Sequence, residues 1–199
     1  RWIWLPCERT LANTFVLFRR EIEVEGQVAS ARGWISADSR YRLFVNGRRV
    51  QWGPAPCDPR AYEADPIDLT RWLVAGQNVI GVEVLFYGHG EGTWPFGKPG
   101  LLFALRVEEA GGRVAEVTSD GSWRALLDRA HRPGQFKRWY LRALQEDFDA
   151  RLRPSAWSEP GGAPDAAWVT PQVLEVAADR PAAAGSHYEY LSDGGIDPA

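Results

Sequence analysis

The chain has 199 residues, a formal net charge of −3, 45% hydrophobic and 25% charged residues, the profile of one folded globular domain. That composition excludes disordered, collagen-like and coiled-coil classes. No apolar run reaches the roughly 20 residues of a membrane-spanning helix, and the acidic balance gives no positive field for nucleic acid or an anionic membrane, so neither is expected as a partner. Gly and Pro together make up about 17% of the chain, against about 12% in average proteins, and favour turns between strands. The 10 Trp and the 12% aromatic share suit a β-rich domain that uses rings both in its core and as platforms. The start, RWIWLPCERT, has neither an initiator Met nor a signal-peptide core, which predicts a piece of a longer protein and leaves localisation unknown.

In chain order, Thr14 to Val24 (TFVLFRREIEV) is rich in β-branched and aromatic residues and stops at Gly26, and a second strand follows over Val28 to Ala37. YRLFVNGRRVQW places Asn46-Gly47 between two extended runs, a hairpin signal because both turn positions want positive φ. In IDLTRWLVAGQN, Asp68 as N-cap and Gly76 as stop predict one short helix. Strict alternation then puts Ile80, Val82, Val84 and Phe86 on one strand face, and Leu101, Phe103, Leu105 and Val107 on another, with a turn at Gly111-Gly112 and a return strand from Val114. QEDFDARL reads as a further strand, and a last one lies near Gln172 to Val176. Trp34, Trp72 and Trp123 fall within strand or helix patterns and read as core, whereas the pairs Arg19-Arg20 and Arg48-Arg49 read as solvated strand faces. The expected fold is all-β, an antiparallel β-sandwich of jelly-roll type with one or two short helices, over residues 1–176, with 177–199 as a linker or tail towards a missing domain.

The strings FRREIEV, ISADSRYRLFVNGRRVQWGP, YEADPIDLTRWLVAGQNVIGVEV, SDGSWRAL and QEDFDARLRPSAWSEPGGAPDAAW, in that order, resemble the N-terminal galactose-binding-like jelly roll of bacterial α-L-rhamnosidases and related multidomain glycoside hydrolases. The resemblance covers roughly residues 15–170, with the EDFDAR, Trp157 and Trp168 portion its most rhamnosidase-specific part. At GGAPDAAW the chain lacks an acidic residue that the family often carries before its last Trp. The resemblance implies a non-catalytic accessory domain that contacts carbohydrate weakly or positions a catalytic domain, with sibling domains as partners. The alternative is a purely structural inter-domain module with no sugar binding.

Glycoside hydrolysis needs two carboxyl groups bracketing a sugar, and the densest acidic cluster, Glu146, Asp147 and Asp149, lies along one strand-like run that cannot bracket one. No cofactor is expected. Asp147 and Asp149 are candidate ligands for a structural calcium, set against a reading as capping and turn carboxylates. His89, His131 and His187 have no zinc-type spacing. Cys7 and Cys57 fit either isolated buried thiols or one disulfide, and no Asn-x-Ser/Thr sequon follows Asn13, Asn46 or Asn78, so the redox compartment stays undecided. The Gly88–Gly92 run fails the dinucleotide-loop spacing, with Thr93 where a third Gly belongs. It reads instead as a loop presenting Tyr87, His89, Glu91 and Trp94, a ring with a few polar groups suited to a sugar. Docking on a neighbouring domain through Trp94 and Phe96 is the competing account. Trp52 joins the candidate ligand set from the other long loop, where Asp58, Arg60 and Tyr62 are expected near the same rim.

Overall fold

In the computed structural model, residues 1–58, 61–88, 97–134, 147–162 and 167–174 are described. Their strands are β1 (Ile3–Trp4), β2 (Thr14–Val24), β3 (Val28–Asp38), β4 (Arg40–Val45), β5 (Arg48–Gly53), β6 (Asp65–Asp68), β7 (Gly76–Phe86), β8 (Gly100–Glu109), β9 (Val114–Thr118), β10 (Arg124–Leu127) and β11 (Gln172–Val173). All pairings are antiparallel. The first sheet runs β11-β1-β8-β3-β6, with β9 also on β8; the second runs β10-β2-β7-β4-β5. Because successive side chains point to opposite faces, the alternation in β7 and β8 becomes burial. Ile80, Val82, Val84 and Phe86 meet Leu101, Phe103, Leu105 and Val107 across one core, joined by Val16, Phe18, Leu43, Ile35 and Trp123. The molecule is a two-sheet β-sandwich, as the turn-rich sequence predicts.

The β4–β5 hairpin turns at Asn46 (φ 50°) and Gly47 (φ 79°). Both residues occupy the left-handed region that makes Asn-Gly the preferred pair there. The short helix expected after Asp68 is not formed. Asp68 ends β6 and its Oδ1 accepts from Thr70 N (3.0 Å), closing a single turn in which Leu73 N donates to Leu69 O (3.2 Å). The side-chain amide of Asn78 then engages both the N–H and the C=O of Val74, taking the backbone groups a second helical turn would use. QEDFDARL is likewise no strand in its described part. Phe148 makes one isolated bridge to His131, and Asp149 caps a 3-10 turn at Ala150–Leu152 through Arg151 N, the local hydrogen bond by which Asp competes with a ladder. β10, paired with β2, has no clear sequence signal. Of the expected last strand, Gln172–Val173 is formed and Leu174 falls outside it; residues 175–199 lie outside the described residues.

Part of the outer face of the second sheet carries a third layer. Trp157 packs edge-on against Phe44 (ring centroids 5.3 Å apart) and over Gly81, where an added Cβ would lie 2.9 Å from its ring. Arg19 is consequently not solvated but 2% exposed: its guanidinium donates to Trp157 O (2.7 Å), Glu159 O (3.0 Å) and Glu21 Oε1 (2.6 Å). Beside it, Arg153 bridges Glu83 and Asp128; Glu83 also accepts from Arg42 (2.9 Å), and Asp128 pairs with His131 (3.0 Å), whose ring stacks on Phe15 at 3.7 Å. Cys7 is exposed and Cys57 half-buried, and both are free thiols. The expected burial fails for Cys7 because it sits outside any strand.

Candidate functional site

The two long loops meet at one carboxylate. Asp38, the last residue of β3, is buried, and it accepts hydrogen bonds from the Tyr62 hydroxyl, the Ser39 hydroxyl (2.8 Å) and the Gly97 N–H. Burial pushes its carboxyl up, the three hydrogen bonds pull it down, and the balance leaves it at about 6. Asp38 therefore tethers the loop after β5 and the chain just beyond residues 89–96 to the same point. Tyr62 is spent on this tether and on the Trp2 ring 4.9 Å away, so it anchors the rim. Asp38 was missed as a site residue because a buried acid in a strand end has no periodic signal, although the Ala37-Asp38 pair lies within the strings that carry the family resemblance.

Of the predicted ligand residues, Tyr87 follows β7 directly, half-buried, with its N–H on Ser39 Oγ (3.0 Å) and its carbonyl accepting from Asn13 N (3.3 Å). His89, Glu91 and Trp94 lie outside the described residues, as does Arg60. Trp52 is 65% exposed at the outer face of β5. It borders a hollow of about 360 Å³ lined by Phe15, Arg40, Arg42, Arg49, Glu83 and Leu85, within the ~300–1,000 Å³ of small-ligand sites. The register explains this grouping: Trp52 faces Arg42 and Arg42 faces Glu83 in one row, and Arg40 faces Leu85, which faces Phe15, in the next. The Arg40 guanidinium lies 5.7 Å from the Trp52 ring centroid, a cation–π distance.

The opposite face carries a feature the sequence reading assigned to the core. Trp34 is 57% exposed on the outer side of β3. In register with it stand Pro66 on β6, Ala104 on β8 and Thr118 on β9. The adjacent row is Asp68, Arg32, Arg106 and Glu116, with Arg32 paired to Asp68 (3.2 Å) and Arg106 to Glu108 (2.9 Å). The two rows border a shallow recess of about 880 Å³, closed at one side by Arg71 and Trp72.

Chemically, these surfaces offer rings and hydrogen-bonding groups. Asp149 has its carboxylate engaged by Arg151 Nε (2.8 Å) and Nη2 (2.6 Å), which hold it below the usual carboxylate range, and among the described residues no group of three or more His, Cys, Asp or Glu could hold a metal ion. Glu83 and Asp128 approach a carboxyl pair, but Arg153 ties them together. Burial alone raises Asp128, yet His131, Arg153 and the Ala130 N–H outweigh it and set it below its ordinary value, the reverse of what a general acid needs.

The fold is a two-sheet antiparallel sandwich with an exposed tryptophan on each outer face, and known proteins share it. Residues 26–186 match the α-L-rhamnosidase N-terminal domain, and the chain belongs to that family. An α-L-rhamnosidase of Formosa agariphila is 27% identical over 177 residues, which cover 79% of this chain and 18% of that protein. The crystal structure of a GH78 family rhamnosidase of Bacillus sp. GL1 superposes with a TM-score of 0.72 at 29% identity, over 90% of this chain and 19% of the other. A lectin from Pleurotus ostreatus, solved in complex with GalNAc, shares the fold (TM-score 0.55, 17% identity, 86% of this chain and 42% of the lectin). The chain thus spans less than a fifth of the curated relative's length.

Proposed function

We propose that this chain is a non-catalytic, carbohydrate-contacting accessory domain of an α-L-rhamnosidase-type glycoside hydrolase. The observation that carries the reading is the Trp52 hollow, an exposed ring beside convergent Arg40, Arg42 and Glu83. A pyranose has one C–H face that stacks on such a ring and hydroxyls that reach the polar groups. Tyr87, with His89, Glu91 and Trp94, belongs to the same proposed ligand set. The position of Asp128 and Glu83 in an arginine-bridged network supports a role without hydrolysis.

Calorimetric titration with L-rhamnose, galactose and a rhamnose-containing oligosaccharide, with and without Ca²⁺, tests the reading. Saturable binding with a Kd between about millimolar and tens of micromolar is expected, weakened about tenfold in Trp52→Ala. A calcium requirement would implicate the Asp147 region. No heat at tens of millimolar sugar would leave a structural inter-domain module as the better account.

A further inference from the structure

We infer that the open outer face of the first sheet, centred on Trp34, binds an uncharged polysaccharide laid across the strands, a site separate from the Trp52 hollow. The inference rests on the carbohydrate-contacting reading and names a second surface and ligand class for it. Three features of the face lead there. The ring of Trp34 is 57% exposed because its cross-strand neighbours, Pro66 and Ala104, and Thr118 beyond, are small or short; among the described residues, none of these neighbours rises high enough to cover it. Proline, tryptophan, alanine and threonine form one row over four strands, and with strands ~4.8 Å apart the row runs roughly 14 Å, longer than one sugar ring. The recess of about 880 Å³ sits near the top of the small-ligand range, again more than a monosaccharide fills.

The second row decides the chemistry. Asp68, Arg32, Arg106 and Glu116 run parallel to the apolar row, and the pairs Arg32–Asp68 and Arg106–Glu108 neutralise one another. The face therefore offers many donors and acceptors with little net field. Hydroxyl groups can be bound by such paired side chains without either ion leaving water, whereas an anionic chain gains no attraction. A protein partner is disfavoured for the same reason. The centre of a protein interface is depleted in charge, and covering Arg32 and Asp68, whose side chains are 76% and 54% exposed, would strip water from ions that a protein surface must then re-pair. A polysaccharide leaves those ions at the edge, solvated, while its C–H faces cover the Trp34 ring.

Native electrophoresis of the 199-residue chain through gels containing xyloglucan, galactomannan or polygalacturonate tests the site. At least one neutral polymer should retard the chain, with retardation weakened about tenfold in Trp34→Ala and largely kept in Trp34→Phe. Because Trp34 is outside the core, the thermal midpoint of Trp34→Ala should match the parent, so lost retardation is not lost folding. The inference is overturned if no neutral polymer retards the chain, if only polygalacturonate does, or if Trp34→Ala migrates like the parent. It is equally overturned if light scattering finds a dimer that Trp34→Ala dissolves, which would give the face to a second copy. Failure here with intact Trp52-dependent oligosaccharide binding removes this surface alone; loss of both removes the reading on which it rests.

Discussion

Asn78 has no exposed surface, yet its amide makes four hydrogen bonds: Nδ2 donates to Val74 O (2.6 Å) and Gly76 O (3.0 Å), and Oδ1 accepts from Val74 N (2.9 Å) and Asn46 Nδ2 (2.9 Å). Asn46 returns the favour to the strand, its Oδ1 accepting from Val79 N (2.8 Å). Two strings that carried the family resemblance, VNG and GQNV, are thus joined by one amide pair that ties a hairpin turn to the start of β7. Asn78→Ala should cost about 1–3 kcal/mol, since it removes four hydrogen bonds made by a fully buried amide, read as a lower urea midpoint with unchanged slope. The Asn46-Gly47 turn was legible because turn residues act locally, whereas its amide partner lies 32 residues further on and left no such signal. Trp34 was not legible for the opposite reason. The inward positions of β3 are Ala31, Gly33, Ile35 and Ala37, three of them small, while the outward set includes the tryptophan, so residue size points to the wrong face. Gly33 is itself required, since a Cβ there would sit 1.9 Å from the Ala104 carbonyl oxygen.

At the level of elements, long alternating strands were readable and the layer over the second sheet was not. β2, β7 and β8 announce themselves through period-two patterns, but Arg19 is buried by Trp157 and Glu159, 138 and 140 residues further on. No local pattern records such a contact. The same holds for Arg153, which reaches Glu83 and Asp128 across 70 and 25 residues. This guanidinium pins the 148–159 layer to the sheet. Arg153→Met keeps much of the side-chain volume but leaves a 3% exposed Glu83 with Arg42 alone and Asp128 with only His131 and the Ala130 N–H. The expected loss is about 3 kcal/mol. Hydrogen exchange should accelerate first over residues 148–159, with β7 and β8 protected; uniform acceleration would mean that the layer is not a separate unit.

For the molecule as a whole, two buried aspartates set opposite pH responses. Asp38 titrates near 6 in the folded state against 3.8 as its ordinary value. The folded form then holds the proton more tightly, so its stability contribution is complete below about pH 4 and is lost as pH rises through 6. Asp128 is lowered, so its contribution is present above pH 4 and is lost as pH falls through its folded value. The thermal midpoint of the parent should fall, relative to Asp38→Asn, between pH 4 and 7 by the equivalent of about 2–3 kcal/mol. Parallel curves for the two proteins over that range would show that Asp38 does not carry the effect. The overall architecture was open to sequence reading because hairpin turns and alternation fix neighbours within each sheet, whereas placement of loops around Asp38 depends on a single buried carboxylate.

The short ladder between β1 and β11, with Ile3 opposite Val173 and Trp4 opposite Gln172, brings the start of the sandwich and the end of its described part to within one strand spacing of each other. Tension applied at those two points would run across this two-residue ladder and not along the long β2–β7 or β3–β8 pairs. The ladder would open like a zipper, one pair at a time, before the sheets felt a shearing load. Under such a load, force would enter the described sandwich at one edge, and its two faces would keep their shape while that ladder opened.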